Sequence, residues 1–269
     1  MLDACIASVL AAGDADRVIV VDNGNGAVVG ADVELIRPAS NLGFGGGANV
    51  GFRRAAELGA TAVALLNDDI EVEPGWLQSL LAALDADSRV GAVQPKLLLA
   101  GSDPVLVNSV GVVIGSDGAG TDIGYGAVDG PQFAEDRPIE SFTGGAVLFR
   151  SAFLEATRGF DDSYFLYYED VDLARRGAEQ GWTYRCIAAS RVRHRVSAST
   201  SQLGTHARYL QERNRLRFAF RFGDPAMVRR ALWLSIRRLR WNPRRTHARA
   251  LMAGLGLAPA ALLARRRSH

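Results

Sequence analysis

With 269 residues, 48% of them hydrophobic and 29 of them glycine, the chain can bury the core of one catalytic domain with a helical appendage, and its composition suits an α/β enzyme with many tight loops. The net charge of +2 hides an asymmetry: residues 206–269 carry sixteen arginines against Glu212 and Asp224 alone, a balance of +14, whereas the preceding part carries 15 basic and 27 acidic side chains, a balance of −12. Two cysteines, Cys5 and Cys186, exclude a disulfide framework. No uninterrupted apolar run reaches the ~18 residues of a membrane span, and the start lacks both parts of a secretory signal, so a reducing, cytoplasmic setting is expected.

In chain order, residues 2–10 read as a short helix. Residues 17–22 form a β-branched run ending in Asp22 and an Asn-Gly turn, and 33–37 a second short strand. A glycine-rich loop is expected over 41–49, then a helix to about Leu58, a buried strand over 62–66, and a helix starting after Pro74, where proline suits a first turn. Strands follow near 90–93, 96–99 and 110–114, and a long polar loop over 116–137 is expected to form a lid or an acceptor-facing insertion. Strand 144–149, an aromatic loop over 160–168, a helix from Glu169 to about Gln180 and a last core strand over 183–188 complete the pattern. This alternation predicts a mostly parallel central sheet with helices on both faces and ligands beyond the carboxyl ends of the strands.

Position singles out Asn67, Asp68 and Asp69. They leave the carboxyl end of strand 62–66 in a turn, where adjacent carboxylates can approach one hard cation from different sides while waters and phosphate oxygens fill its other places. By itself Asn-Asp-Asp is equally an ordinary solvated turn. Glu169, Asp170 and Asp172 open a predicted helix, where acids are also ordinary caps.

The order and spacing of several motifs resemble the inverting family-2 glycosyltransferases, especially the rhamnosyltransferase-like and galactofuranosyltransferase-like bacterial members. These are Val20-Val21-Asp22-Asn23-Gly24, the run from Asn41 to Asn49, Leu66-Asn67-Asp68-Asp69, Phe142-Thr143-Gly144-Gly145-Ala146, Gly159-Phe160-Asp161 through Tyr167-Tyr168-Glu169-Asp170-Val171-Asp172-Leu173, then His194 and Arg213-Asn214. The resemblance covers roughly residues 1–220. It implies a GT-A type nucleotide-sugar transferase fold, with a catalytic domain over 1–203 and a basic helical region over 204–269. It further implies donor contacts from Asp22, Asn41, Gly43, Asn49, Asn67 and Asp68. Mg2+ or Mn2+ would be held by Asp69, Asp68 and His194, and the acceptor by Asp161, Tyr168, Glu169 and Gly144. Asp170 would be the base that takes the acceptor proton, with Glu169 orienting it. Ser197 and Ser199 are weaker phosphate-side candidates.

The implied reaction is transfer of rhamnose from dTDP-rhamnose to a saccharide or polyprenyl-linked saccharide in surface polysaccharide synthesis. Galactofuranosyl or other hexosyl transfer from a UDP-sugar is the alternative, and a non-catalytic scaffold or basic binding protein the second. Members of that family begin with a buried strand that precedes the first helix, so the resemblance implies a sheet lacking its first strand. The basic tail suits an anionic membrane surface at the inner face of the cell membrane or a homo-oligomer contact, while no nucleic-acid recognition module is legible.

Overall fold

The computed structural model describes every residue except Asn25, 196–197, 241–242 and 268–269, and the backbone alone of 198–203 and 266–267. Ser197 and the side chain of Ser199 therefore lie outside the described part. The elements run α1 (Leu2–Ala12), β1 (Ile19–Val21), β2 (Glu34–Ile36), α2 (Gly43–Glu57), β3 (Ala62–Leu66), β4 (Ile70–Val72), α3 (Trp76–Ala86), β5 (Val90–Leu99), β6 (Val107–Ser109), β7 (Val112–Ile114) and β8 (Gly120–Asp122). They continue with β9 (Arg137–Ile139), β10 (Ala146–Arg150), α4 (Ser151–Thr157), α5 (Glu169–Glu179), β11 (Thr183–His194), α6 (Ala198–Phe222), α7 (Pro225–Arg238) and α8 (Arg244–Arg267).

The large sheet has the order β3-β10-β5-β11-β4, with β6 added beside β5 and β9 beside β11. Only β5 and β11 run parallel within it; the other pairings are antiparallel. The expected mostly parallel sheet is thus wrong, and the sheet is mixed. A strand covered on both faces reads as a continuous apolar run whichever way its neighbour points, so Val90–Leu99 and Ala146–Arg150 carry no mark of direction. The error matters for the site. Because β10 pairs antiparallel with β3 in the register Ala146 to Leu66, its first residues lie beside the last of β3, and β11 likewise ends with His194 opposite Ile70 of β4.

Helices cover both faces. On one, Phe52 of α2, Phe153 and Leu154 of α4, and Leu173 and Ala174 of α5 pack with Phe142, Phe149, Phe160 and Tyr184; on the other, Val9 of α1 and Trp76, Leu77, Leu80 and Leu84 of α3 pack with Val93, Leu97, Leu148 and Ile187. Phe142, Phe149, Phe153 and Tyr184 meet mainly edge to face, an arrangement that adds to the apolar burial.

Strands β1 and β2 form a separate parallel pair. Helix α2 packs on both β1 and β3, yet no described strand joins them, and Ile19, Val20, Val21, Leu65 and Leu66 remain half-buried. The expected glycine loop is largely the opening of α2, and the expected long polar loop holds β8, a short 3-10 turn over Pro131–Phe133 and β9.

Candidate active site

The turn after β3 is fixed by backbone pairing: the Asn67 N–H donates to Gly145 O at 2.9 Å and the Ile70 N–H to Asn67 O at 3.2 Å. This leaves Asp68 exposed and Asp69 buried. Nε2 of His194 lies 3.1 Å from Asp69 Oδ1, while its Nδ1 is 2.8 Å from Asn108 Oδ1. An amide oxygen only accepts, so Nδ1 carries the proton and, in the neutral ring, Nε2 turns a lone pair toward the carboxylate. Two electron-rich atoms at that distance call for positive charge, either a proton on the ring or a bound cation. Although Asp68 is exposed as a residue, partial desolvation of its carboxyl, then the neighbouring Asp69, raises that carboxyl above its usual range.

Asp69 and His194 therefore fit a hard divalent cation that takes its remaining ligands from water and phosphate, with the imidazole oriented through Asn108 as ligating histidines commonly are. Among the described residues no group of three or more His, Cys, Asp or Glu side chains forms a metal cage.

Gly144 and Gly145 join this pair to the second acidic centre. A Cβ on Gly145 would lie 3.8 Å from His194 Cε1, and one on Gly144 would lie 3.8 Å from Asp170 Cβ and 2.9 Å from Phe44 Cε1. A side chain at Gly144 would run into the Phe44 ring. The Gly144 N–H donates to Asp170 Oδ2 at 3.0 Å and the Val171 N–H to Oδ1 at 2.8 Å. Asp170 keeps some accessible surface, yet burial pushes its carboxyl up to about 6 despite those two N–H donors, with Asp122 adding to the rise. Glu169 is buried, its Oε2 has no hydrogen-bond partner among the described residues, and burial followed by the Asp170 charge lifts it well above the carboxylate range. Of the two, Glu169 is the more strongly held toward its neutral form and Asp170 the one more readily ionised.

The other expected site residues have taken up structural contacts. Asp22 accepts from the N–H groups of Gly24 and Ala27 and from Arg37, holding its own loop. Asn41 accepts from the Gly43 N–H. Gly43, at φ 74°, brings α2 against the aromatic loop so closely that a Cβ would sit 2.3 Å from Phe165 O. Both ends of the Asn49 amide pair with the Phe160 backbone. Asp161 accepts from Ser163, Arg217 and Arg221; burial works upward on its carboxyl, but those donors outweigh it and hold it low. Tyr168 donates its hydroxyl to Gly118 O at 3.0 Å.

The expected aromatic wall is also mostly interior. Tyr164 is fully buried beneath the Arg217 guanidinium, and Phe165 alone of the rings at 160–168 is exposed.

Sequence reasoning missed the roles of several residues, two of which, Asn23 and Asn214, lie within its motifs. Asn23 pins the opening of α2, donating to Gly43 O and accepting from the Leu42 N–H, although it read only as a turn residue. Asn108 and Asp122 lie in segments with no distinguishing pattern. Asn214 of α6 is fully buried, and its Nδ2 donates to the carbonyls of Tyr164, Leu166 and Tyr167, the loop in which Phe165, Tyr167 and Tyr168 all hold positive φ. Such backbone is costly for large side chains unless the surroundings enforce it. Asn214→Ala is expected to cost about 1–3 kcal/mol, read as a lower denaturation midpoint; an unchanged midpoint would mean that the loop holds its shape without the amide.

Comparison with known proteins bears on the class first. A solved structure of GalNAc-T7 with UDP, GalNAc and Mn2+ superposes with a TM-score of 0.60 over 87% of this chain and 48% of that chain, at 12% identity, which defines a GT-A-like α/β fold with a mixed sheet. Residues 1–97 match the model of glycosyl transferase family 2. An N-acetylglucosaminyl-diphospho-decaprenol L-rhamnosyltransferase of Mycobacterium tuberculosis is 28% identical over 201 residues, 64% of this chain and 61% of the relative. The O-antigen biosynthesis protein RfbC of Myxococcus xanthus is 31% identical over 152 residues, 54% of this chain and 12% of its own length. The chain thus spans about three fifths of the mycobacterial relative and about half of the solved one. By sequence its first 97 residues are those of a family-2 glycosyltransferase, and the chain is similar to the rhamnosyltransferase at family-level identity.

Proposed function

We propose that this chain transfers a sugar, with inversion, from a nucleotide-sugar donor to a hydroxyl of a saccharide or lipid-linked saccharide. The observation that carries the reading is the Gly144–Gly145 bridge, whose Gly144 N–H holds Asp170 while Gly145 lies against the His194 ring of the Asp69–His194 pair. An acceptor hydroxyl at Asp170 gives up its proton to that carboxylate as its oxygen bonds to the anomeric carbon. The bond from that carbon to the diphosphate oxygen breaks on the opposite face, and the nucleoside diphosphate leaves with the electron pair. Asp69 and His194 would hold Mg2+ or Mn2+, which supplies positive charge to the departing diphosphate. Glu169, buried beside Asp170 and pushed toward its neutral form, orients the acceptor or the base.

The donor proposed is dTDP-rhamnose and the acceptor a polyprenyl-linked saccharide, on the strength of the rhamnosyltransferase named among the relatives. A lipid-linked acceptor would bring the reaction to the inner face of the cell membrane. The test is a screen of dTDP-rhamnose, UDP-galactofuranose and other nucleotide sugars with Mn2+ or Mg2+, reading nucleoside diphosphate release and sugar-bearing product. Product from dTDP-rhamnose alone is expected. Product from a UDP-sugar alone would move the donor assignment, and none from any donor would sink the transferase reading.

A further inference from the structure

The C-terminal helices carry a surface that sugar transfer does not use. Helix α6 is the inner one, with Leu210, Leu216, Phe218, Ala219 and Phe220 buried. Helix α7 packs on it through Ala231 and Ser235, and α8 through Gly254 and Ala261, so closely that a Cβ on Gly254 would lie 2.7 Å from Leu216 Cδ1. At about 100° per residue, Arg229, Arg230, Trp233, Ile236 and Arg237 of α7 fall on one arc opposite Ala231 and Ser235. By the same rotation Met252, Leu255, Leu262 and Leu263 of α8 share an arc opposite Gly254 and Ala261. These apolar side chains are open to solvent: Trp233 is 58% exposed, Ile236 57%, Met252 68% and Leu263 59%. From Pro225 to His269 there are eleven arginines and no Asp or Glu.

Large exposed apolar groups on two neighbouring helices, rimmed by arginine without a single acid, are unusual on a free surface. A second copy apposed there would set arginine against arginine. A nucleic acid would answer the charge but leave the Met and Leu stripe wet. An anionic bilayer answers both, because its phosphates meet the guanidinium groups and its acyl boundary takes the apolar stripe. Trp233, with the Arg237 guanidinium 4.7 Å from its ring centre, has the amphipathic form suited to that boundary.

The stretch Arg244–Arg265 is long and apolar enough to cross a membrane by length and composition. Crossing would require α8 to leave α6 and uncover Leu216, Ala219 and Phe220, and would draw Arg249 into hydrocarbon.

We propose that the α7–α8 surface lies flat on an anionic membrane, with Trp233 and Ile236 of α7 and Met252, Leu255, Leu262 and Leu263 of α8 entering the headgroup boundary. This deepens the membrane placement of the proposed reaction, and its test does not depend on catalysis. The full chain is floated with vesicles of phosphatidylcholine alone and with phosphatidylglycerol added. Two paired substitutions are compared, Trp233→Ser with Ile236→Ser and Leu255→Ser with Leu262→Ser, each first checked for unchanged thermal unfolding, which their exposure permits. Binding to the anionic vesicles only, weakened about tenfold or more by each pair and released at alkaline pH, is expected. Equal binding to both vesicle types, resistance to alkaline extraction, or full binding by both variants would overturn flat anionic docking. Transfer to a soluble saccharide is measured alongside. Its absence from every protein while wild-type vesicle binding persists would sink the transferase reading and leave the docking surface standing.

Discussion

Asp170→Asn is expected to bind nucleotide sugar as the wild type does while sugar transfer falls by about 10²–10⁴-fold. The substitution keeps one acceptor oxygen for the N–H groups of Gly144 and Val171 that now hold the carboxylate, so the opening of α5 keeps its place. What disappears is the negative oxygen able to receive a proton. The same group sets an acid limb in the wild type. A carboxyl raised by burial to about 6 is protonated below that pH and cannot serve as a base, so kcat/KM should fall as pH drops through about 6 and level off above it. Steady-state transfer between pH 5 and 8, with donor binding measured calorimetrically, separates the two effects. A variant that keeps substantial transfer would assign the base to another group, and loss of donor binding in equal measure would make Asp170 a binding residue.

Asp69→Ala should abolish the cation dependence of donor binding. The variant leaves His194 as the one remaining member of the pair, still steered by Asn108, and a single imidazole is a poor site for a hard cation. Disturbing the orienting partner of a metal-ligating histidine costs roughly 10–100-fold in affinity or activity, so Asn108→Leu is expected within that range and Asp69→Ala beyond it. Calorimetric titration of donor with and without Mn2+ reads both. Cation-dependent binding that survives Asp69→Ala would place the cation elsewhere, whereas a normal Asn108→Leu variant would mean that the imidazole is held in place by packing alone.

Local chemistry was far more legible than strand direction. The run Ala62–Leu66 followed by three polar residues marks a buried strand opening into a turn, and the structure has those bounds. Nothing in Ala146–Arg150 shows that it runs against β3, because apolar burial on both faces erases the alternation that would distinguish it. The glycines from Gly43 to Gly47 read as a loop on propensity, yet they begin a helix, since a bare backbone is what lets α2 press on Phe165 and Asn23. Asp161 and Asn49 illustrate a different limit. Their types suit a binding site equally well, and only long-range contacts reveal that Arg217 and Arg221 occupy one and the Phe160 backbone the other. Asn108 and Asn214 were invisible in role for the same reason, their partners lying 86 and about 50 residues away.

The division of the strands into two groups has a dynamic consequence. Within the large sheet, opening any one strand breaks ladders shared with its neighbours, so β5, β10 and β11 should exchange their amide hydrogens only through cooperative unfolding. Among the described residues strands β1 and β2 share a ladder only with each other, and α2, the Phe44 N–H and the Asn23 and Asn49 amides tie their side of the molecule to the rest. Release of that unit breaks few backbone bonds. The wall carrying Asp22 and Asn41 therefore belongs to the least protected end of the exchange spectrum, and the Asp69–His194 pair and Asp170 to the rigid one.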